Sequence, residues 1–386
     1  MPEDVFGTFD QLLESENPSA SFDLLVARFR AAKDYRSVFE ARLMKKRLEL
    51  GLPVFLTDDL SALPSELREA YGQAVTEAAR DVGELFLSDG EIAQAWPYLK
   101  ATGDSARVAD AIERVTPGDG LNRIIEIALH EGVHPAKGLE LIAAKYGICQ
   151  ALSAFEISAV RKDRERCIAV LAHNLHTELV ERLGDAIEQE EGSRPASTGI
   201  AELISGRDWL FGEYRTYVDN SHLVSLLQHC PEVSDAGLLR IFHDLCEYGK
   251  RVSPAVRAQC QPPFEDGCID FEHYVGALLG IDVERHLAHF RRKVAEAEPE
   301  RVVSLAAQVL VGLLARLARY GEALEVALAY FPNVGPADLA CPAASELCRL
   351  AGRLDRLKEL AREQGDWLNY AAAALETRAL RVDSKG

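Results

Sequence analysis

Residues Leu121–Gly147 read LNRIIEIALHEGVHPAKGLELIAAKYG, and two kinds of protein hang on how that stretch folds. His130-Glu131-Gly132-Val133-His134 matches H-E-x-x-H, in which two histidines one helical turn apart hold zinc and the glutamate sits beside the metal-bound water. That chemistry needs one continuous helix. Glycine commonly ends helices and proline commonly starts them, and here Gly132 lies inside the motif while Pro135 follows it directly. The residue before a proline is also pushed out of the α region. The stretch therefore predicts two helices, Leu121–Glu131 and Pro135–Tyr146, joined by a Gly132-Val133-His134 corner. On the first, Leu121, Ile124, Ile125, Ala128 and Leu129 form the apolar stripe and His130 points away from it. Glu131 is then expected as a surface carboxylate near a helix end.

The same grammar runs outward in both directions. Apolar residues recur at i, i+3, i+4 and i+7 almost everywhere, and no period-two alternation lasts long. The fold class expected is all-α, with some sixteen to twenty helices at the usual length of about 11–12 residues. Ser21-Phe22-Asp23 opens a helix to about Lys33, Tyr35–Leu50 follows, and Pro64-Ser65-Glu66 opens a long one to about Leu87. Ser88–Trp96 turns into another, and Thr116-Pro117-Gly118-Asp119-Gly120 is the strongest break before the centre. Glu191–Gly199 reads as a flexible connection, and Ser253–Cys268, with Pro262-Pro263, as a longer loop of the kind that is often functional or mobile.

Near the other end, Ala318-Arg319-Tyr320-Gly321-Glu322-Ala323-Leu324 and Gly352-Arg353-Leu354-Asp355-Arg356-Leu357-Lys358 begin 34 residues apart (352 − 318). Each lies between two apolar helices, and Gly90–Trp96 fits the same pattern. A small residue at a turn, followed by a helix that docks back, is how repeated helical hairpins bury a shared core. Over about 84–116 and 299–380 the chain resembles the tetratricopeptide repeat, through the small-residue turns and Ala95 and Ala323. The resemblance implies helical hairpins that bind a peptide or protein partner.

Composition bounds the function. The chain has 386 residues, 48% hydrophobic and 27% charged, with a formal net charge of −18. That acidity argues against nucleic acid as partner, since phosphate binding needs concentrated Lys and Arg. The longest uncharged stretch, Val302–Ala315, is too short to span a bilayer and suits a buried helix. Met-Pro-Glu-Asp lacks the basic and apolar regions of a signal peptide, and the eight cysteines show no C-x-x-C pairing. The expectation is a cytoplasmic protein with reduced thiols and no membrane partner. All ten histidines fall between His130 and His289, with six of the eight cysteines. Three regions follow: helical hairpins over 1–118, a His- and Cys-rich helical centre over 119–296, and tetratricopeptide-like hairpins over 297–386.

Within the centre, His130 and His134 could converge on one ligand at the corner, or His130 could simply sit at a helix C-terminus, where a cation is favoured. Helix Arg164–Glu188 has the apolar stripe Ile168, Leu171, Ala172, Leu175, Leu179, Leu183 and Ile187, with His176 at its edge and His173 just beyond. Histidines three apart can chelate a metal; border histidines also serve as hydrogen-bonded packing residues. That helix carries no Glu-x-x-His pair, which removes the di-iron bundle pattern. Trp209, Phe211, Tyr214 and Tyr217, near His222 and His229, form either a pocket lining or core. His243-Asp244-Leu245-Cys246 and His286-Leu287-Ala288-His289 are further pairs at helical spacing. No phosphate-binding glycine loop, G-x-S-x-G elbow or kinase signature occurs. The leading expectation is a cytoplasmic helical-repeat protein that binds a protein or peptide partner. The alternative is a metal- or cofactor-dependent helical enzyme, with a divalent metal on His130, His134, His173 and His176. Convergence of central histidines separates the two.

Overall fold

Residues 5–15, 17–55, 63–118, 120–158, 160–297 and 304–383 are described by a computed structural model. Helix accounts for 72% of the described residues, in 20 α-helices and a few short 3-10 and π turns, and no strand occurs among them. The all-α class is thereby shown. By compactness the chain divides into two units, Met1–Val170 and Leu171–Gly386, where composition alone suggested three regions.

The first unit holds α1 (Val5–Leu13), α2 (Ala20–Ala31), α3 (Tyr35–Glu49), α4 (Ser65–Ser88), α5 (Ile92–Thr102), α6 (Ser105–Glu113), α7 (Asn122–Ile125), α8 (Pro135–Tyr146) and α9 (Ile148–Ile157). From α1 to α6 each helix packs on the next, and α7 and α9 both pack on α8. The core gathers Tyr35, Val38, Val82, Phe86, Trp96, Leu99, Val108, Ile112 and Ile127. Gly83 makes the α4–α5 crossing possible: a Cβ there would stand 2.5 Å from Leu99 Cγ. Ala95 is fully buried, as expected of the small residue in this hairpin.

The corner forms where Gly132 and Pro135 put it. α7 continues as one π turn, Glu126–His130. The Glu131 amide then donates to Glu126 O and the His134 amide to Ala128 O. Gly132 takes φ +72°, a left-handed conformation that glycine adopts without cost. His134 has left the helix, at φ −152° and ψ 71°, and caps α8. Glu131 departs from the surface position expected for it. The chain folds it back towards α5, where it accepts hydrogen bonds from Trp96 Nε1 (2.7 Å) and Lys100 Nζ (2.8 Å) and pairs with Arg123 (3.2 Å). Asp119 of the preceding break lies outside the described residues.

α10 (Arg164–Glu191) carries the boundary between the units. Its stripe from Ile168 to Ile187 is buried residue for residue as periodicity dictates. The second unit continues with α11 (Ile200–Ile204), α12 (Asn220–Leu227), α13 (Ala236–Arg251), α14 (Cys268–Leu278), α15 (Val283–Glu296) and α16 (Leu305–Arg316). Then come α17 (Tyr320–Tyr330), α18 (Ala344–Leu350), α19 (Leu354–Gln364) and α20 (Trp367–Asp383). α11 and α12 pack on α13, and from α13 onward each helix packs on its successor. The uncharged stretch becomes the buried α16; its Val302 and Val303 lie outside the described residues. Ala323 on α17 is fully buried.

Two features of this unit bear on function. The loop between α13 and α14 is tied down, since Lys293 Nζ donates to Pro263 O (2.8 Å) and Phe264 stacks on Phe271 at 4.5 Å. α20 leaves an apolar stripe uncovered: Trp367 is 82% and Leu368 85% exposed, and Ala371, Ala372 and Leu375 are exposed beside them. Lys358 and Arg362 of α19 reach over the Tyr370 ring at 5.3 and 5.4 Å.

Candidate metal centre

Three consecutive helices of the second unit bring polar side chains together. Asp235 caps α13 by accepting from the Leu238 amide (2.7 Å). On this strongly amphipathic helix, Phe242, Leu245, Cys246 and Gly249 face the core. His243 and Glu247, four residues apart, therefore share a half-buried face. α13 and α14 approach closely because Gly249 has no side chain; a Cβ there would overlap Cys268 Sγ. α14 and α15 approach at Gly276, where a Cβ would lie 2.4 Å from His286 Nε2. Both glycines sit within helices, so what they supply is room.

Around these contacts lie two polar groups of opposite character. The first is satisfied. Asp270, fully buried, accepts from His289 Nε2 (2.6 Å), Lys293 Nζ (2.7 Å) and the Asp266 amide (2.8 Å). Arg292 lies 3.1 Å from His289 Nδ1 and can only donate, which puts the His289 proton on Nε2. Burial would lower the Lys293 pKa, but its hydrogen bonds to Asp270 and Glu265 win and raise it.

The second group is not satisfied. Glu272 is only 7% exposed, yet among the described residues its carboxylate accepts no hydrogen bond. Its nearest basic neighbour, His243 Nε2, stands at 3.9 Å, beyond hydrogen-bond range. His273 and His286 meet Nδ1 to Nδ1 at 2.9 Å, and His286 Nε2 is buried with no partner. Burial and the neighbouring His289 press the His273 pKa down to about 4, and burial lowers that of His286. At neutral pH both rings are uncharged, so neither offers Glu272 a counter-charge. With no donor from the protein, the Glu272 oxygens are left to solvent or to a cation.

The donor set fits a divalent transition ion. Glu272, His273 and His286 bring one ligand atom each to within 4.8 Å of one another, and so do His243, Glu247 and Glu272. Two donors bound at about 2.0–2.1 Å stand about 2.9 Å apart at a right angle and about 3.4 Å apart in a tetrahedron. The 2.9 Å between the imidazoles is already in that range. Neutral imidazole and carboxylate are the ligands of zinc, iron and manganese sites.

The four histidines named from the sequence occupy other places. His130 is exposed at the end of the π turn. His134 uses both ring nitrogens: Nδ1 accepts from the Lys137 amide (3.3 Å) and Nε2 faces Glu113 at 2.7 Å. His173 is exposed on α10, and His176 Nε2 lies 2.9 Å from Asp244, which also caps α11 through the Ile200 and Ala201 amides. None of the four belongs to either metal-type grouping among the described residues. Of the aromatic patch, Phe211 packs on Tyr248 and Tyr214 is exposed. His243 and His286 were visible as helical pairs in the sequence, whereas Glu272 and His273 were missed. The available signal was a Glu-His pair flanked by Phe271, Tyr274 and Val275, with a glycine one turn on. The chain matches no family model, no curated protein and no solved structure.

Proposed function

We infer that this is a metal-binding helical protein whose cation sits against Glu272 on α14. One observation carries the reading: Glu272, mostly buried and without a hydrogen bond from the protein, brings its carboxylate to within 4.8 Å of ligand atoms of His273 and His286. A divalent ion on Glu272, His273 and His286 would give the carboxylate a cation and take up one nitrogen of each ring. Three protein donors also leave a coordination position for water or a substrate atom, which is how catalytic zinc sites are built. The test is equilibrium dialysis of the purified chain against Zn(II), with Glu272→Gln as the matched variant. Binding of zinc by the parent and its loss in Glu272→Gln supports the centre. No bound zinc, or zinc retained in full by Glu272→Gln, refutes it.

A second reading rests on a separate observation, the uncovered stripe of α20. Trp367, Ala371 and Leu375 recur every four residues and their side chains lie in solvent. Exposed apolar stripes of this kind are partner sites. Lys358 and Arg362 beside it have no carboxylate partner among the described residues, in a chain of net charge −18. The occupant that fits is an amphipathic helix of a partner protein, apolar on one face and acidic at its edge. A synthetic helix of that design should bind the parent and lose affinity on Leu375→Ala and on Lys358→Glu. Equal binding to all three chains would dismiss this reading.

A further inference from the structure

The two metal-type groupings share a single residue, and it is the carboxylate left without donors. Glu272 joins His273 and His286 on one side and His243 and Glu247 on the other. We propose that the centre is dinuclear, with Glu272 bridging two divalent cations, one held by His273 and His286 and the other by His243 and Glu247. This rests on the metal-binding reading above and extends it.

The chemistry of each donor supports the division. A carboxylate has two oxygens and about four lone-pair directions, so one glutamate can ligate two ions. Paired ions of this kind stand about 3.5–4 Å apart. His243 and Glu247 are one helical turn apart on α13, a spacing that lets two side chains reach one ion. Glu247 gives one oxygen to Lys250 Nζ, at 2.6 Å, and its other oxygen remains for a metal. His243 Nε2, 3.9 Å from Glu272, is too far to hydrogen-bond and close enough for both to ligate one ion across a wide angle.

The two positions differ in access. His286, at 1% exposure and wedged against Gly276, puts the first ion in the interior. His243 and Glu247 are both about a quarter exposed, so the second ion would face solvent. An enclosed ion and an accessible one, joined by a single carboxylate, is the layout in which a structural cation fixes the bridge and its neighbour exchanges ligands. The order of binding follows: the enclosed ion should exchange slowly and the solvent-facing one fast.

The experiment is metal stoichiometry by inductively coupled plasma mass spectrometry after equilibrium dialysis against Zn(II), with Mn(II) loading for electron paramagnetic resonance. Parent, Glu247→Gln and Glu272→Gln are compared, with circular dichroism to show that each is folded. The expected result is two zinc ions in the parent, one in Glu247→Gln and none retained in Glu272→Gln. Two manganese ions should give an exchange-coupled spectrum that becomes a mononuclear one in Glu247→Gln. One ion in the parent, whether or not Glu247→Gln keeps it, overturns the dinuclear centre and leaves metal binding standing. No ion in the parent overturns both. Two ions that survive Glu272→Gln lie elsewhere and overturn both as well. Should Glu272→Gln fail to fold, the uncoupled spectrum of a doubly loaded parent overturns the bridge on its own.

Discussion

Asp270 and Glu272 stand two residues apart on one helix, both buried, and their substitution should have opposite effects in the metal-free protein. Asp270 receives three donors. Asp270→Asn replaces a charged acceptor by an amide that cannot satisfy His289 and Lys293 together. Breaking a buried charge pair costs about 3–5 kcal/mol when the remaining charge is stranded. Here Lys293 keeps Pro263 O and Glu265, each at 2.8 Å, which moves the expected cost to about 2–3 kcal/mol. Glu272 has no donor to lose. Glu272→Gln loses no hydrogen bond and removes a charge from a mostly buried position, so its stability should fall within about 1 kcal/mol of the parent, on the stabilising side. Zinc then separates the two again. At a hundredfold excess over its Kd, a bound ion adds about 2.7 kcal/mol. The parent should gain it in full, Asp270→Asn only part of it because His289 is loosened beside His273, and Glu272→Gln none. Urea unfolding followed by circular dichroism, with and without Zn(II), reads all of this in one matrix. If metal-free Glu272→Gln is destabilised as much as Asp270→Asn, or if zinc stabilises both variants alike, the contrast between the two carboxylates is mistaken.

Gly276→Ala and Gly72→Ala, both in helix interiors, should have opposite signs. Gly72 has open space and should gain about 0.5–1 kcal/mol from helix propensity, whereas Gly276→Ala drives a Cβ into the buried His286 ring and should lose about 1–3 kcal/mol net; equal signs in urea unfolding would mean the α14–α15 crossing is looser than described. Ala323→Leu should overpack the fully buried α17 crossing and lower stability by about 1–3 kcal/mol, and an unchanged melting temperature would reject that packing. The Lys100 hydrogen bond, with that of Trp96, holds the Glu131 carboxyl below its usual range against the opposing effect of burial. Its contribution is thus present above the ordinary carboxylate pKa and lost as pH falls through the lowered one. Between pH 5 and 3 the parent should lose more stability than Glu131→Gln, and parallel acid curves would show that Glu131 contributes nothing.

What was legible in the sequence is what depends on neighbours along the chain. Gly132 and Pro135 gave the corner, the stripe of α10 gave its buried face, and Ala95 and Ala323 are fully buried on α5 and α17. Each follows from a 3.6-residue period or from a backbone preference. Glu131 was misjudged because nothing local says that α5 passes beside the corner with an indole N–H to offer. The Ser253–Cys268 loop is tethered through Lys293 and Phe271, which lie beyond it in sequence. The metal-type groupings join residues 243, 247, 272, 273 and 286, and only the crossings of three helices bring them together. H-E-x-x-H spelled a site where the backbone breaks, while the converging groups were spread over some forty residues without a motif.

The satisfied network explains how the unsatisfied one is held. His273 lies flat on His289, ring centroids 4.0 Å apart and planes within 9°, and His289 is fixed at both nitrogens by Asp270 and Arg292. His286 is clamped between His273 and the bare backbone of Gly276. Neither ring is free to turn away from Glu272. A centre meant only for packing would be filled by aliphatic side chains, since a half-satisfied polar network is worse than an apolar core. A fully hydrogen-bonded carboxylate, a lysine and two close helix crossings hold two neutral imidazoles beside Glu272, as the outer shell of the proposed ligand set would require. On that logic His289 is a positioning residue. His289→Phe, which keeps the stack but loses the Asp270 bond, should loosen His273 and weaken zinc binding without touching a ligand.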